Sequence, residues 1–170
     1  NLMNIREQLD PQILEDAIAV LAKASRVEFY GFGASAPVCT DAQHKFHRMQ
    51  INATSYSDPH MQTISAVTLK EGDVVVAISQ TGRTKDLLHT VKLVKETGAT
   101  VISLCPGGTP LADLASIAIP IDLEEDKDLS TLMSSRVVHL VVIDVLAVGV
   151  AMKLGPGLLD HLKTIKRSLR

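Results

Sequence analysis

Large aromatic side chains and cysteines are scarce in this 170-residue sequence. It contains no tryptophan, and aromatic residues make up only 3% of the chain, which is too few for a surface that stacks nucleotide bases. Its two cysteines, Cys39 and Cys105, have neither a metal-ligand spacing nor the pattern of a disulfide framework. We therefore expect two buried free thiols in a reducing cytoplasm, with no metal site and no cofactor.

A strong excess of one charge is also missing. The formal net charge is −2, so the chain as a whole has no electrostatic footprint for DNA or RNA. The segment Val137–Met152 is strongly apolar, but it is short and carries Asp144, which favours a buried helix over a membrane span. The sequence begins at Asn1 rather than at methionine, which suggests a domain of a longer protein.

Apolar runs and helical patterns alternate along the chain. Hydrophobic residues make up 46% of the sequence, enough for one domain with a substantial aliphatic core. Strands are predicted at about 26–30, 52–56, 74–78, 100–104 and 117–121, and helices that end near residues 24, 50, 69, 97, 114, 154 and 169. This alternation predicts an α/β fold, a three-layer αβα sandwich with a five-stranded parallel sheet. Five strands of this kind most often take the order 2-1-3-4-5.

A hydroxyl-rich turn follows the third predicted strand. The buried strand Val74–Ile78 leads into residues 79–84, Ser-Gln-Thr-Gly-Arg-Thr, and an amphipathic helix begins there. Unpaired N–H groups and the positive end of the helix dipole favour an anion at such a position. We call residues 79–84 the phosphate turn and predict that they bind a phosphate group. The alternative is structural, because serine and threonine are common helix caps and glycine is common in turns.

A second turn with glycine and serine follows the first predicted strand. This glycine–serine turn, residues 31–35, reads Gly-Phe-Gly-Ala-Ser; it lacks the third glycine of the dinucleotide fingerprint, and no acidic residue ends the second strand. Nicotinamide binding is therefore disfavoured. We interpret Gly33 as allowing close backbone approach to a ligand and Ser35 as reaching a sugar oxygen; the alternative is that Ser35 only caps a helix. In the order 2-1-3-4-5 both turns lie at the switch point where ligands bind.

These two turns, together with the five-strand pattern, resemble the SIS domain, a phosphosugar-binding module, over essentially the whole chain. The segments Tyr56-Ser57-Asp58-Pro59-His60 and Ser134-Ser135-Arg136 narrow the resemblance to the effector domain of RpiR-type transcriptional regulators, and most closely to the HexR branch, the hexose-regulon repressors. The resemblance implies a flavodoxin-like SIS fold that spans residues 1–170. It also implies a homodimer or tetramer, binding of a phosphorylated sugar or sugar acid such as 2-keto-3-deoxy-6-phosphogluconate, and DNA contact only through a domain outside this chain.

The resemblance also implies ligand-binding roles for residues in the two turns and at the start of the long helix. They are Gly33, Ser35, Ser79, Gln80, Thr81, Thr84, Ser134 and Ser135. The hydroxyls of the phosphate turn and the Gln80 backbone would hold the phosphate, and Ser35 would bind a hydroxyl or carboxylate of the carbon chain. The two helix serines would close the site, although serines at a helix start are also simple caps.

Two other functions stay open on the sequence alone. An aldose–ketose phosphosugar isomerase would need a base and an acid for ring opening, for which Glu124 or Glu125 with His139 or His60 are candidates. Their simpler interpretations are a solvated acidic loop and a core histidine. A pure assembly domain with a decayed pocket is disfavoured by the intact set of hydroxyls. Arg83 could pair with phosphate or carboxylate, or simply be solvated.

Overall fold

The sheet of this protein has five parallel strands in the order β2-β1-β3-β4-β5. The structure is a computed structural model that describes residues 2–123 and 129–170, with side chains for 3–123 and 135–170. The strands are β1 (Val27–Tyr30), β2 (Ala53–Tyr56), β3 (Val74–Ile78), β4 (Thr100–Cys105) and β5 (Ile117–Pro120). Their order and parallel pairing confirm the fold class expected from the sequence.

Helices precede, connect and follow the strands. They are α1 (Leu2–Gln8), α2 (Pro11–Lys23), α3 (Ala36–Arg48), α4 (Pro59–Ala66), α5 (Lys85–Glu96), α6 (Pro110–Leu114), α7 (Leu129–Leu154) and α8 (Pro156–Ser168). Several begin with an aspartate or threonine cap followed by proline: the Asp10 side chain accepts from Gln12 N, and the Asp58 side chain accepts from Met61 N. Such a pair satisfies a free amide and presets the first helical turn. The helix starts at Pro11 and Pro59 are therefore encoded locally.

The two faces of the sheet are covered by different sets of helices. One hydrophobic cluster joins β-strand residues such as Phe29 and Val76 to α2, α3 and α7. A second cluster, on the other face, joins Val75 and Val101 to α4, α5 and α6. The central strand β3 is buried along its full length, as expected for a strand covered on both faces. The helices that follow β1 and β3, namely α3 and α5, therefore leave the sheet towards opposite faces.

Helix α7 is apolar on both its inner and its outer side. Within it, Ser135–Leu154 has a mean hydropathy of 2.2 over its most apolar window, and this segment is long and apolar enough to cross a membrane by length and composition alone. On that criterion the prediction that this apolar segment is too short to span a membrane was wrong. Val142 and Leu146 are fully buried in the core against α2 and α3, which is the packing of a core helix. The expectation of a buried helix is met on that side only, because Val148 on the outer side is 61% exposed.

A buried carboxylate ties β1 to α4. Glu28 is 1% exposed, and its side chain accepts hydrogen bonds from Tyr30 Oη at 2.7 Å and from Ser65 Oγ at 2.6 Å. Arg26 Nε lies 3.8 Å from the Glu28 carboxylate. A buried charge is tolerated when it is paired and hydrogen-bonded in this way. This network ties the last turn of α4 to β1.

We predict that Ser65→Ala lowers the free energy of unfolding by about 1–3 kcal/mol, because it leaves a buried carboxylate with one donor fewer. Urea unfolding followed by circular dichroism measures the change. Ser168→Ala is the matched control, since the Ser168 hydroxyl bonds only Thr164 O on an exposed part of α8; it should change stability by less than about 0.5 kcal/mol. Equal midpoints for both variants would contradict a stabilising role for the network.

Candidate functional site

The phosphate turn is held in shape by one of its own hydroxyls. Ser79 is 4% exposed, and its Oγ accepts a hydrogen bond from Gly82 N at 2.9 Å. Ser79 N donates to Leu104 O at 3.0 Å, so the turn is also anchored to β4. Thr81 Oγ1 accepts from Arg83 N at 3.2 Å. The two hydroxyls thus fold the turn on itself, a role that the sequence interpretation did not include.

Gly82 permits close packing of the phosphate turn on the loop between β4 and α6. Its φ is +64°, and a Cβ atom there would lie 2.2 Å from Thr109 Oγ1. Leu111 N donates to Gly82 O at 3.1 Å. A larger side chain would both strain the backbone and separate the two loops. The phosphate turn is therefore braced from the side of β4.

The glycine–serine turn brings Ser35 to the end of β1. Gly33 has a φ of +53° and begins a short 3-10 turn that ends at Ser35. Ser35 is 6% exposed and occupies the N-cap position of α3, but its hydroxyl makes no capping hydrogen bond. At Gly31 an added Cβ would lie 2.8 Å from Cys39 Sγ, whereas at Gly33 it would meet nothing within 4 Å, which leaves open space beside Gly33. Gly33 thus provides a backbone conformation, and Gly31 provides the close contact with Cys39.

Both turns line one small hollow at the carboxyl edge of the sheet. The hollow has a volume of about 170 Å³, and Ser35 and Ser79 both contribute to it, as the strand order predicts. Thr84 is the N-cap of α5 and its side chain makes no capping bond, so the first turn of α5 keeps free amides beside the hollow. The lining residues are Phe32, Ala34, Ser35, Ile78, Ser79, Gln80, Thr81, Thr84 and Leu87.

A larger cavity of about 500 Å³ adjoins the hollow, with which it shares Gln80 and Thr81. It lies over the ends of β4 and β5 and reaches the start of α7. Its other lining residues are Arg83, Pro106, Thr109, Ile121, Asp122, Leu123, Ser135 and His139. Of these, the sequence interpretation had assigned a ligand-binding role only to Ser135 and had left Arg83 and His139 open. The other lining residues could have been found from their position alone. Several of them follow β4 or β5, and parallel strands end at the same edge of the sheet.

Among the residues that line the larger cavity, the His139 imidazole and the Ser135 hydroxyl are uncharged at neutral pH, and the Asp122 carboxylate is negative. His139 is 3% exposed, and burial lowers the pKa of its imidazole to about 4, so the ring is neutral at pH 7. Ser135 is 2% exposed. Asp122 Oδ1 accepts a hydrogen bond from Gly107 N at 2.9 Å, which fixes the carboxylate at the cavity wall.

The remaining candidates from the sequence lie elsewhere. His60 is exposed near the start of α4 and lines neither cavity. Glu124 and Glu125 lie outside the described residues, and Ser134 belongs to α7 with its side chain outside them. Within the described part of the chain, no group of three or more histidine, cysteine, aspartate or glutamate side chains is placed to hold a metal ion.

The sequence of this chain is similar to a known domain family and to known proteins. Residues 20–149 match the SIS domain family. The HTH-type transcriptional regulator HexR of Pseudomonas aeruginosa is 41% identical over 169 residues, which cover 99% of this chain and 59% of that protein. Bifunctional protein glk of Burkholderia thailandensis is 43% identical over 152 residues, which cover 89% of this chain and 24% of that protein.

Solved structures give the same fold. The Vibrio vulnificus NanR protein complexed with ManNAc-6P has a TM-score of 0.90 and 23% sequence identity, over 99% of this chain and 64% of that one. At this identity the likeness establishes the fold. The chain spans 59% of the HexR regulator that it matches, so it corresponds to a part of that protein.

We predict that His139 makes the stability of the protein depend on pH. The pKa of His139 is about 4 in the folded protein and about 6.5 in an unfolded chain. The contribution of His139 to the free energy of unfolding is therefore complete above pH 6.5 and is lost as the pH falls towards 4. Between pH 7 and pH 4.5 the wild type should lose about 2 kcal/mol more stability than His139→Gln. Urea unfolding at both pH values measures this difference. Parallel losses in the two proteins would contradict a buried neutral imidazole.

Proposed function

This chain belongs to the SIS domain family, and from that membership we propose that it is the sugar-phosphate-sensing effector domain of a transcriptional regulator of sugar catabolism. One SIS domain would span residues 1–170. The observation that carries the proposal is the hollow shared by Ser35 and Ser79 beside the first turn of α5. The 41% identity to HexR over 99% of the chain supports the regulatory role.

The hollow suits a phosphate group for physical reasons. The first turn of α5 offers free amides and the positive end of a helix dipole, which together favour a phosphate dianion. The hydroxyls of Ser79, Thr81 and Thr84 and the Gln80 backbone would hold the phosphate oxygens. Gly33 would shape the glycine–serine turn so that Ser35 reaches the carbon chain. Ser135, at the start of α7, would close the larger cavity over the ligand, with Ser134 beside it.

The ligand that we propose is a phosphorylated sugar acid such as 2-keto-3-deoxy-6-phosphogluconate, as the resemblance to the HexR branch implies. The hollow and the adjoining cavity together have room for a phosphate and a polar carbon chain. Ligand in both would connect the phosphate turn to the first turns of α7. A ligand acts on a regulator only through its unequal affinity for two arrangements; here the arrangement that changes would be that of two subunits packed through α7.

A phosphosugar isomerase is the second candidate, and His139 is the observation that bears on it. Its imidazole lines the larger cavity and could contact a sugar. A general acid works best when its pKa lies near the working pH, and a pKa of about 4 leaves little imidazolium to open a sugar ring at neutral pH. The relatives named as regulators also favour a sensor. We therefore propose that the domain is not an enzyme.

A second copy of the chain is the partner that we propose for α7. Its outer side carries apolar residues spaced three or four apart, which form a single stripe along the helix. Their exposed fractions are 46% for Val137, 40% for Val141, 39% for Val145, 61% for Val148 and 78% for Met152. A continuous exposed apolar stripe is typical of an interaction surface. Symmetric pairing of this stripe would give a homodimer, or part of a tetramer, in the cytoplasm, with DNA bound by another domain.

We predict that Ser79→Ala weakens binding of 2-keto-3-deoxy-6-phosphogluconate by about 10- to 100-fold, because a hydrogen bond to a charged group contributes about 1.5–3 kcal/mol. Ser79 also supports the turn through Gly82 N, so Thr84→Val is the cleaner companion variant. Its hydroxyl makes no capping bond, and valine keeps the branched shape. Isothermal titration calorimetry measures both affinities.

The control for this experiment is Ser168→Ala, on α8 and outside both cavities, which should bind as the wild type does. Thermal unfolding of each variant shows whether the domain is intact. Wild-type affinity in both Ser79→Ala and Thr84→Val would contradict the phosphate site. Failure of the wild-type chain to bind any sugar phosphate would contradict the proposed function as a whole.

We predict that Val148→Asp converts the dimer into monomers, because it places a charge in the middle of the apolar stripe, where pairing would bury it without a partner. Light scattering coupled to size-exclusion chromatography measures the mass. Val67→Asp is the matched control: Val67 is 59% exposed, close to Val148, but it follows α4 on the other face of the sheet. Loss of the dimer in both variants, or in neither, would contradict pairing through α7.

A further inference from the structure

We infer that the larger cavity contains a carboxylate subsite, in which Arg83 pairs with the acidic group of a phosphorylated sugar acid and thereby selects acids over neutral sugar phosphates. This inference rests on the proposed function, because it assigns the second half of the same ligand. Arg83 belongs to the phosphate turn by sequence, so a contact with phosphate was the competing interpretation. The cavity that Arg83 lines favours the contact with a carboxylate.

Arg83 lines the larger cavity and is absent from the lining of the hollow that holds Ser35 and Ser79. Its side chain is exposed, and it forms no ion pair with any described residue. An arginine that lines a cavity without an acidic partner is available to a ligand. Since Arg83 lines the larger cavity and not the hollow, the ligand group that it binds would lie away from the phosphate.

The backbone of Arg83 is held in place. Its N–H donates to Thr81 Oγ1 at 3.2 Å, and the preceding Gly82 packs against Thr109 and accepts a hydrogen bond from Leu111 N. The guanidinium therefore extends from a fixed base at the junction of the hollow and the cavity. A ligand with its phosphate in the hollow would bring the far end of its carbon chain within the reach of this side chain.

The charges around the cavity favour one carboxylate at Arg83. Among the described lining residues Arg83 is the only cation at neutral pH, since burial keeps the His139 imidazole uncharged. Asp122 supplies a negative charge on the same wall, which opposes a phosphate dianion in this cavity and accepts hydrogen bonds from sugar hydroxyls. A guanidinium binds a carboxylate through two parallel hydrogen bonds. One cation therefore fits one carboxylate, with the hydroxyl groups towards Asp122.

Two acyclic ligands test this assignment directly. 6-Phosphogluconate and sorbitol 6-phosphate have the same carbon chain and the same phosphate, and they differ only in a carboxylate or a hydroxymethyl group at C1. We expect the wild-type chain to bind 6-phosphogluconate more tightly. Arg83→Gln should weaken binding of 6-phosphogluconate by about 10- to 100-fold and binding of sorbitol 6-phosphate by less than about 3-fold. Isothermal titration calorimetry at constant ionic strength gives the four affinities.

Lys85→Gln is the matched control, because Lys85 is an exposed cation two residues further on that lines neither cavity. It should leave the preference between the two ligands unchanged. Equal losses for both ligands in Arg83→Gln would assign Arg83 to the phosphate and overturn the inference. No loss for either ligand would make Arg83 a solvated residue, which also overturns it. If Ser79→Ala still weakened binding by about 10- to 100-fold in those cases, the proposed function would stand without the carboxylate subsite. If the wild type bound neither ligand, both proposals would be contradicted.

Discussion

The parallel pairing of β1 with β3 is the constraint on which the rest of this structure depends. Val27 to Tyr30 pair in register with Val74 to Ala77, so both strands end at the same level of the sheet. The chain then leaves β1 towards α3 and β3 towards α5, on opposite faces. The separation of these two helices leaves the hollow between the two turns. Ser35 and Ser79 both line this hollow, although they are distant in sequence. Without this pairing, the two turns would not line one hollow.

Much of the fold could be predicted from the sequence, because apolar runs and helix caps are local sequence patterns. The run Val74–Ile78 is apolar throughout and is buried throughout, and the Asp-Pro pairs at residues 10–11 and 58–59 mark helix starts where the structure has them. Two features differ from the prediction: α4 stops at Ala66 rather than near residue 69, and the short helix α1 was not predicted. Helix ends are the least certain part of a prediction from sequence, because the last turn frays.

The candidate site divides in the same way. The hollow could be predicted, because strand order alone brings its two turns together. The larger cavity could be predicted only in part: Thr109 and Asp122 follow β4 and β5 at the same edge of the sheet, whereas the position of His139 on the cavity wall depends on how α7 packs in the folded chain. Two details also needed coordinates: the Ser79 hydroxyl shapes its own turn through Gly82 N, and Gly31 packs closely against Cys39. Helix α7 contributes both to the site and to the protein surface, since His139 lines the larger cavity and Val148 is exposed to solvent.

The central claim is that two turns from neighbouring strands bind one sugar phosphate together, the phosphate turn at its phosphate group and the glycine–serine turn at its carbon chain. The most direct test is a titration of the ¹⁵N-labelled domain with 2-keto-3-deoxy-6-phosphogluconate, in which the backbone amides are followed by NMR. The account predicts that amides of residues 33–35 and of residues 80–85 shift together on adding the sugar phosphate, with one dissociation constant, and that inorganic phosphate at higher concentration shifts the amides of residues 80–85. Shifts confined to one turn, or two turns that saturate at different concentrations, would contradict it.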